Sequence, residues 1–195
     1  MKLKNHPFLL LSAVAIVIFS TGCPYESPVP LSEQGAQVPA NILGVWIDSS
    51  ELDEPVEQQT TYTVTVEAGN QILITKSETD GAGDVSLTTY RGHLTLVGDD
   101  YFLNVKDLAS AEMGWMEDEE NAEEDPEQDA EVLYSLFKLE ISGKRMRVRS
   151  VTSNMEEMFA TPAELYGFVE RHKDLSFFYT KDDDLVLIHS SVFRD

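Results

Sequence analysis

The chain has 195 residues, of which 35 are acidic and 14 are Lys or Arg, so its formal net charge at pH 7 is −21. Such a charge repels phosphate backbones and argues strongly against nucleic acid as a partner. The length fits one domain large enough to bury a hydrophobic core, and no internal repeat is present.

The first 22 residues have the pattern of a secretory signal peptide. Lys2 and Lys4 precede an apolar run of 12 residues from Phe8 to Phe19, and no acidic residue occurs before Cys23. Because a helix needs roughly 20 apolar residues to cross a bilayer, we expect a cleaved signal rather than a permanent span. Its removal leaves 12 basic against 35 acidic residues, a formal charge of −23.

The signal ends on Ser20-Thr21-Gly22 and the only cysteine of the chain, Cys23. This stretch resembles the lipobox of bacterial lipoproteins, although that family usually has Leu where this chain has Ser20. The resemblance implies cleavage before Cys23, a diacylglyceryl group on its sulfur and acylation of the new amino terminus, for example with palmitate. Such a multiply acylated cysteine anchors a protein in a membrane.

The residue after the cysteine bears on which membrane holds the anchor. In enteric-type bacteria, lipoproteins with Asp at that place tend to stay at the inner membrane, and this chain has Pro24 there. The resemblance therefore implies the outer membrane, on its periplasmic face. The alternative is a plain signal peptide, with Cys23 a free thiol or half of an intermolecular disulfide.

Residues 23–40 contain four prolines and little periodicity. We expect a lipidated cysteine followed by a flexible tether that holds the domain a few tens of ångströms, roughly, from the lipid.

Residues 41–195 are predicted to form a single β-rich domain. Apolar and polar side chains alternate in segments joined by short turns, which is typical of antiparallel barrels and sandwiches. Gly92 predicts a bulge or sharp bend. The predicted strands are 41–48, 60–67, 71–76, 87–97, 101–106, 132–141 and 144–151, and Phe177–Tyr179 with Leu185–Ile188 are expected to add one or two closing strands.

Near the end of the chain the period changes to that of a helix. Thr161-Pro162-Ala163-Glu164 fits a capping box with Pro at the first helical position. Leu165, Phe168, Val169 and His172 follow at helical spacing. We therefore expect a helix over about 161–173 that packs on the sheet through this stripe. Ser153-Asn154-Met155-Glu156 also fits a capping box.

The triplet Gly44-Val45-Trp46 resembles the Gly-x-Trp signature on the first strand of lipocalin-like β-barrels, where the Trp plugs one end. The resemblance implies a mainly β fold, an antiparallel meander forming a lipocalin-like barrel or strongly curved sheet. The alternative is any antiparallel sheet with a buried Trp on its first strand. In a lipocalin-like barrel, the candidates to line the interior and bind a ligand are Trp46, Tyr62, Tyr90, Tyr101 and Phe137.

Ten acidic residues lie between Glu117 and Glu131. Calcium prefers carboxylate oxygens, but this run lacks the Asp-x-Asp-x-Asp-Gly spacing of a built site. Like charges repel each other, so we predict a disordered loop at about 116–131. The segment Asp80–Asp84 faintly resembles calcium-repeat turns, and a single copy is far more often a hairpin turn. No metal and no cofactor are predicted.

Arg145, Arg147 and Arg149 alternate along one predicted strand and so share one face. Guanidinium groups make bidentate contacts to phosphate or carboxylate, which makes this stripe a candidate site for an anionic ligand or lipid headgroup. The alternative is an exposed barrel face screened by the acidic loop.

Catalysis has little support in the sequence. After the signal, the histidines are His93, His172 and His189, and none lies in a known catalytic motif. No catalytic residue is predicted. We expect a membrane-anchored, non-catalytic binding or interaction module whose partner is an envelope protein or a small apolar ligand. A small-molecule or lipid carrier with a hollow barrel and a hydrolase are the alternatives, and the state of the barrel interior decides the first.

Overall fold

A computed structural model describes residues 25–80, 82–106, 133–152, 158–180 and 184–193. The predictions for Cys23, Pro24, the acidic loop at 116–131 and the Ser153–Glu156 capping box lie outside these residues.

The described part of the chain is mainly β, with one α-helix near its C-terminus, as predicted. The helix, α1 (Pro162–His172), follows the eighth strand and precedes the ninth. The strands are β1 (Glu26–Ser27), β2 (Gly44–Asp48), β3 (Thr61–Val66), β4 (Gln71–Thr79), β5 (Val85–Val97), β6 (Asp100–Lys106), β7 (Tyr134–Ser142), β8 (Arg145–Ser150) and β9 (Leu185–His189).

Strands β2 to β9 form a closed antiparallel barrel of eight strands. Neighbouring strands pair in the order β7-β6-β5-β4-β3-β2-β9-β8, and β8 pairs back onto β7. The last strand closes the barrel because it fits between β2 and β8, with His189 opposite Trp46 and Leu187 opposite Met146. Closure leaves no unpaired sheet edge in the ring, and an eight-stranded barrel is wide enough to hold side chains or one small ligand.

The predicted alternation separates two cores. On β6, Leu103 and Val105 point into the barrel, whereas Phe102 points outwards. The outward side chains of β5, β6 and β7 form a second core with α1, in which Leu165 and Val169 are fully buried. The helix therefore packs on the outer surface of the barrel, and the interior is left to the strands.

The start of α1 follows the capping-box prediction. The side-chain oxygen of Thr161 accepts a hydrogen bond from the N–H of Glu164 at 3.3 Å, and the Glu164 carboxylate accepts one from the N–H of Ala160. At the other end, Lys173 forms an ion pair with Asp100 in the first residue of β6. The helix is thus fixed to the barrel at its C-terminus by charge and along its length by apolar contacts.

The prediction of a flexible tether is wrong for residues 25–40. These residues belong to a segment, the N-terminal strap (residues 25–42), that lies against the barrel. Glu26 and Ser27 pair with β7, and Leu31 is 1% exposed. The backbone N–H of Leu31 donates to Asn104 Oδ1 at 2.7 Å, and that of Ala36 donates to the Leu94 carbonyl at 2.7 Å. The proline-rich segment is therefore bound to the barrel.

Two strand predictions left alternatives open, and the structure bears on both. The pairing of β5 runs without interruption through Gly92 on both sides, which excludes the bulge, one of the two predicted alternatives. A Cβ at Gly92 would lie 2.2 Å from the Asn104 carbonyl oxygen, so the glycine allows a close approach of two backbones. The two closing segments were expected to supply one or two strands, and they supply one, β9, which contains Leu185–Ile188. Ser176–Phe178 is a 3₁₀ turn, and Tyr179 makes a single bridge to Val151.

Candidate functional site

The two ends of the barrel differ in construction. At the end that we call the closed end, tight turns join β3 to β4, β5 to β6 and β7 to β8. The strap passes across this end, where Ala36, Val38 and Ile42 pack against the interior side chains. The opposite end, which we call the mouth, carries the longer connections from β2 to β3, β4 to β5, β6 to β7 and β8 to β9.

Trp46 plugs the closed end, as the resemblance implied for this residue. Its side chain is fully buried, and its Nε1–H donates to the Ile42 carbonyl at 2.8 Å. The ring of His189 meets it edge on, with centroids 5.0 Å apart. Gly44 has φ +120°, and a Cβ there would lie 2.6 Å from His189 Nε2. The glycine of the triplet therefore makes room for the histidine that supports the tryptophan.

Above this plug the barrel is hollow. A cavity of about 390 Å³ extends towards the mouth, within the size range of small-molecule pockets. Tyr62, Tyr90 and Phe137, three of the predicted interior residues, line it, whereas Trp46 and Tyr101 belong to the interior core below it. The other lining residues are Glu26, Ile42, Val64, Ile72, Ile74, Lys76, Leu103, Val105, Ser135, Leu139, Met146, Val148, Leu185 and Leu187.

A few polar groups lie among these apolar walls. Lys76 is paired with Glu78 at 2.6 Å, so its charge is balanced at the rim. Burial raises the pKa of the Tyr62 hydroxyl, and the carboxylates of Asp48 and Glu78 add to this effect. The hydroxyl consequently stays protonated and is available as a hydrogen-bond donor. Apolar walls with a few polar groups suit a largely apolar ligand with one polar end.

The arginine stripe lies on the outer face of β8, away from the cavity. Arg147 pairs with Asp184 and Glu140, and Arg149 pairs with the same two carboxylates. The guanidinium of Arg149 also lies 4.1 Å from the centre of the Tyr179 ring. Arg145, at the exposed start of the strand, has no ion pair among the described residues. Two of the three guanidinium groups would thus have to leave intramolecular partners before they could bind an external anion.

The three histidines each contact a backbone carbonyl. His93 Nε2 lies 2.7 Å from the Ser32 oxygen, and His172 Nδ1 lies 2.7 Å from the Phe168 oxygen. Among the described residues, His189 is the histidine whose ring also contacts a serine hydroxyl: its Nδ1 is 2.8 Å from Ser191 Oγ. This pair sits at the closed end, outside the cavity, and the N–H of Ser191 donates to the same Nδ1 at 3.2 Å. The arrangement is that of a local turn.

No group of three or more His, Cys, Asp or Glu side chains in the described ranges is placed to hold a metal ion. In the Asp80–Asp84 turn, Asp80 Oδ1 accepts hydrogen bonds from the N–H groups of Ala82 and Asp84, at 2.8 and 2.9 Å. Asp80 therefore stabilises the turn through its own backbone neighbours, as Asp commonly does in turns.

Lys76 and Glu26, which line the cavity, and His189, which supports the Trp46 plug, were not singled out from the sequence. Lys76 continues the inward phase of Ile72 and Ile74, and this periodicity could have identified it. Glu26 carried no such signal, because it lies in the proline-rich segment assigned to the tether. His189 meets Trp46 across 143 positions of the chain, a pairing that only the closure of the barrel creates.

Comparison with known proteins found no family model, no curated protein and no solved structure that matches the chain. Among the residues that the structure describes, no helix has the length and apolar character of a membrane span.

Proposed function

We propose that this protein is an exported, lipid-anchored binding protein whose barrel takes a small, largely apolar ligand. The observation that carries the proposal is the cavity of about 390 Å³ between the Trp46 plug and the mouth. The sequence left open whether the interior is filled or hollow, and a hollow interior favours the carrier over a plain scaffold.

The chemistry of the walls supports a ligand with an apolar body. Thirteen apolar or aromatic side chains on seven strands, together with Ile42 of the strap, line the cavity. Burying their apolar surface against a ligand would contribute about 25 cal/mol per Å² removed from water. Such an open apolar space is costly for a fold to keep, since an unfilled cavity forfeits dispersion contacts. Tyr62 and Tyr90 offer hydroxyl groups to one polar end of the ligand.

The anchor is proposed from the lipobox-like stretch at Cys23, and the outer membrane facing the periplasm is proposed from Pro24. An envelope protein is the alternative partner, through the outer surface. A hydrolase has less support, because the one contact between a histidine ring and a serine hydroxyl among the described residues, His189 with Ser191, lies outside the cavity.

Titration with the neutral fluorescent probe N-phenylnaphthylamine tests the ligand site. We expect saturable binding with one probe per chain. Ile74→Trp places a large ring between Val64 and Tyr90 and is expected to weaken binding at least tenfold. Thr75→Trp puts the same ring on the outer face of β4 and is the matched control. Equal binding by both variants, or no saturable binding by the wild type, would refute the proposal.

A further inference from the structure

We infer that the mouth of the barrel faces the bilayer that holds the anchor, so that a ligand passes directly between bilayer and cavity. This inference rests on the proposed lipid attachment at Cys23 and on the proposed ligand site.

The start of the strap is bound at the mouth end of the barrel. The N–H of Tyr25 donates to the Val151 carbonyl at 2.8 Å, just beyond the end of β8, and its side chain is buried. Glu26 and Ser27 then pair with Ser135 and Tyr134, the first residues of β7. Since β7 begins at the mouth, the strap is fixed to the barrel at this end. Glu26 itself lines the cavity.

Covalent geometry limits the distance between Cys23 and the bound part of the strap. Cys23 precedes Tyr25 by two residues, and consecutive Cα atoms are 3.8 Å apart, so the Cα atoms of Cys23 and Tyr25 are separated by at most about 7.6 Å. The residues expected to act as a long tether are instead bound along the barrel. The acyl groups would therefore start near the mouth end of β7, whereas the closed end lies on the far side of the barrel.

The surface of the mouth end carries exposed apolar side chains. The ladder between β4 and β5 continues to Thr79 and Val85, while the pairing of β4 with β3 stops at Ser77. The β4–β5 hairpin thus projects past its neighbour. On it, Val85 and Leu87 are 62% and 68% exposed. Leu52, Val56 and Leu133, in the connections at the same end, are exposed as well. Apolar side chains around an entrance are suited to the interface of a bilayer.

Charge selects the kind of bilayer surface. The mouth carries the carboxylates of Glu26 and Glu78, and the chain without residues 1–22 has a formal charge of −23. Anionic headgroups would repel this end, so the occupant to which we commit is a zwitterionic lipid surface.

Fluorescence quenching in vesicles tests the orientation. The full-length acylated protein, in which lipid blocks the Cys23 sulfur, receives one new cysteine with a bimane label and is reconstituted into phosphatidylcholine vesicles that contain nitroxide-labelled phosphatidylcholine. Leu87→Cys reports on the mouth, and Val66→Cys, at the end of β3 that meets the closed end, is the matched control. We expect at least threefold stronger quenching at position 87. Equal quenching, or stronger quenching at position 66, would overturn the inference.

A linker variant tests the cause. Insertion of about 12 Gly and Ser residues between Pro24 and Tyr25 adds roughly 20 Å of average reach without touching the strap. We expect the difference in quenching to disappear while the affinity for N-phenylnaphthylamine stays unchanged. An unaltered difference would contradict the role of the strap. Intact mass shows whether the chain is acylated, and a chain without acyl groups would refute the anchor and the orientation together. A protein that does not bind the probe but keeps the difference in quenching would refute only the ligand site.

Discussion

The imidazole of His189 meets the indole of Trp46 edge to face, with ring planes at 83° and centroids 5.0 Å apart. The N–H of Ser191 donates to His189 Nδ1, so Nδ1 is the acceptor and Nε2 carries the proton. Nε2 faces the Leu43 carbonyl at 3.3 Å. The last strand is therefore joined to the first strand of the barrel by a ring contact and a hydrogen bond, at the point where the closed end is sealed.

Gly44→Ala should destabilise the protein by roughly 1–3 kcal/mol. The alanine would have to adopt φ +120°, and its Cβ would lie 2.6 Å from His189 Nε2. Urea unfolding measures the change. Gly143→Ala is the control, since its φ is also positive at +59° but no atom lies within 4 Å. If the clash is the cause, Gly44→Ala costs less in a His189→Ala background. An equal cost in both backgrounds would contradict this explanation.

Leu31→Ala should destabilise the protein by about 2–4 kcal/mol, as expected for a buried leucine that leaves a cavity. It should also expose residues 25–40 to limited proteolysis, because Leu31 holds the strap in the second core, between the barrel and α1, with Tyr25 and Phe102. Gln37→Ala, at an exposed position of the same strap, is the control. Rapid cleavage of the strap in the wild-type protein would show that it is not docked.

Docking of the strap should weaken below neutral pH. Burial lowers the pKa of His93, against the opposing effect of its hydrogen bond to the Ser32 carbonyl. The folded-state pKa therefore lies below the unfolded value of about 6.5. Neutral His93 therefore contributes its full stability to the folded state above pH 6.5, and this contribution is lost as the pH falls through the folded-state pKa. We expect protease sensitivity of the strap to rise from pH 7 to pH 5. His93→Gln should remove this dependence, and an unchanged profile in that variant would contradict it.

The carboxylate of Asp100 joins α1 to the barrel. Burial alone would raise its pKa, but hydrogen bonds from Lys173 and Lys138 outweigh this effect and hold the pKa below its usual value. A depressed pKa contributes stability above the unfolded value of about 3.9, and this is lost as the pH falls through the folded pKa. Asp100→Asn should therefore cost roughly 1–3 kcal/mol at pH 7 and reduce the acid dependence of unfolding.

Glu33→Gln removes one negative charge from an exposed position of the strap and serves as the control for Asp100→Asn. Urea unfolding at pH 7 and pH 3 measures both variants. If the two variants lose equal stability, the Asp100 contacts do not hold the helix to the barrel.

Much of the fold followed from local patterns. Alternation identified the strands from β3 to β8 within a few residues, since side chains that point into the barrel alternate with side chains that point outwards. The capping box at Thr161 gave the start of α1, because its hydrogen bonds are made within one turn. Inward placement of Tyr62, Tyr90 and Phe137 followed from the same period of two.

The features that were missed depend on contacts distant in sequence. The strap has no periodicity, since its backbone binds Asn104 and Leu94 while its apolar side chains enter two different cores. Phe177–Tyr179 has β-forming residues, but tertiary packing against α1 places Phe178 in a 3₁₀ turn. The volume of the cavity depends on how side chains from seven strands meet, and no single strand encodes it.

Native mass spectrometry with dodecanol as the added ligand tests the central claim most directly. The wild-type chain is expected to carry one dodecanol molecule, as is Thr75→Trp, whereas Ile74→Trp is expected to carry none because its ring fills the cavity. No bound dodecanol on the wild type, or the same adduct on Ile74→Trp, would contradict a ligand site inside the barrel.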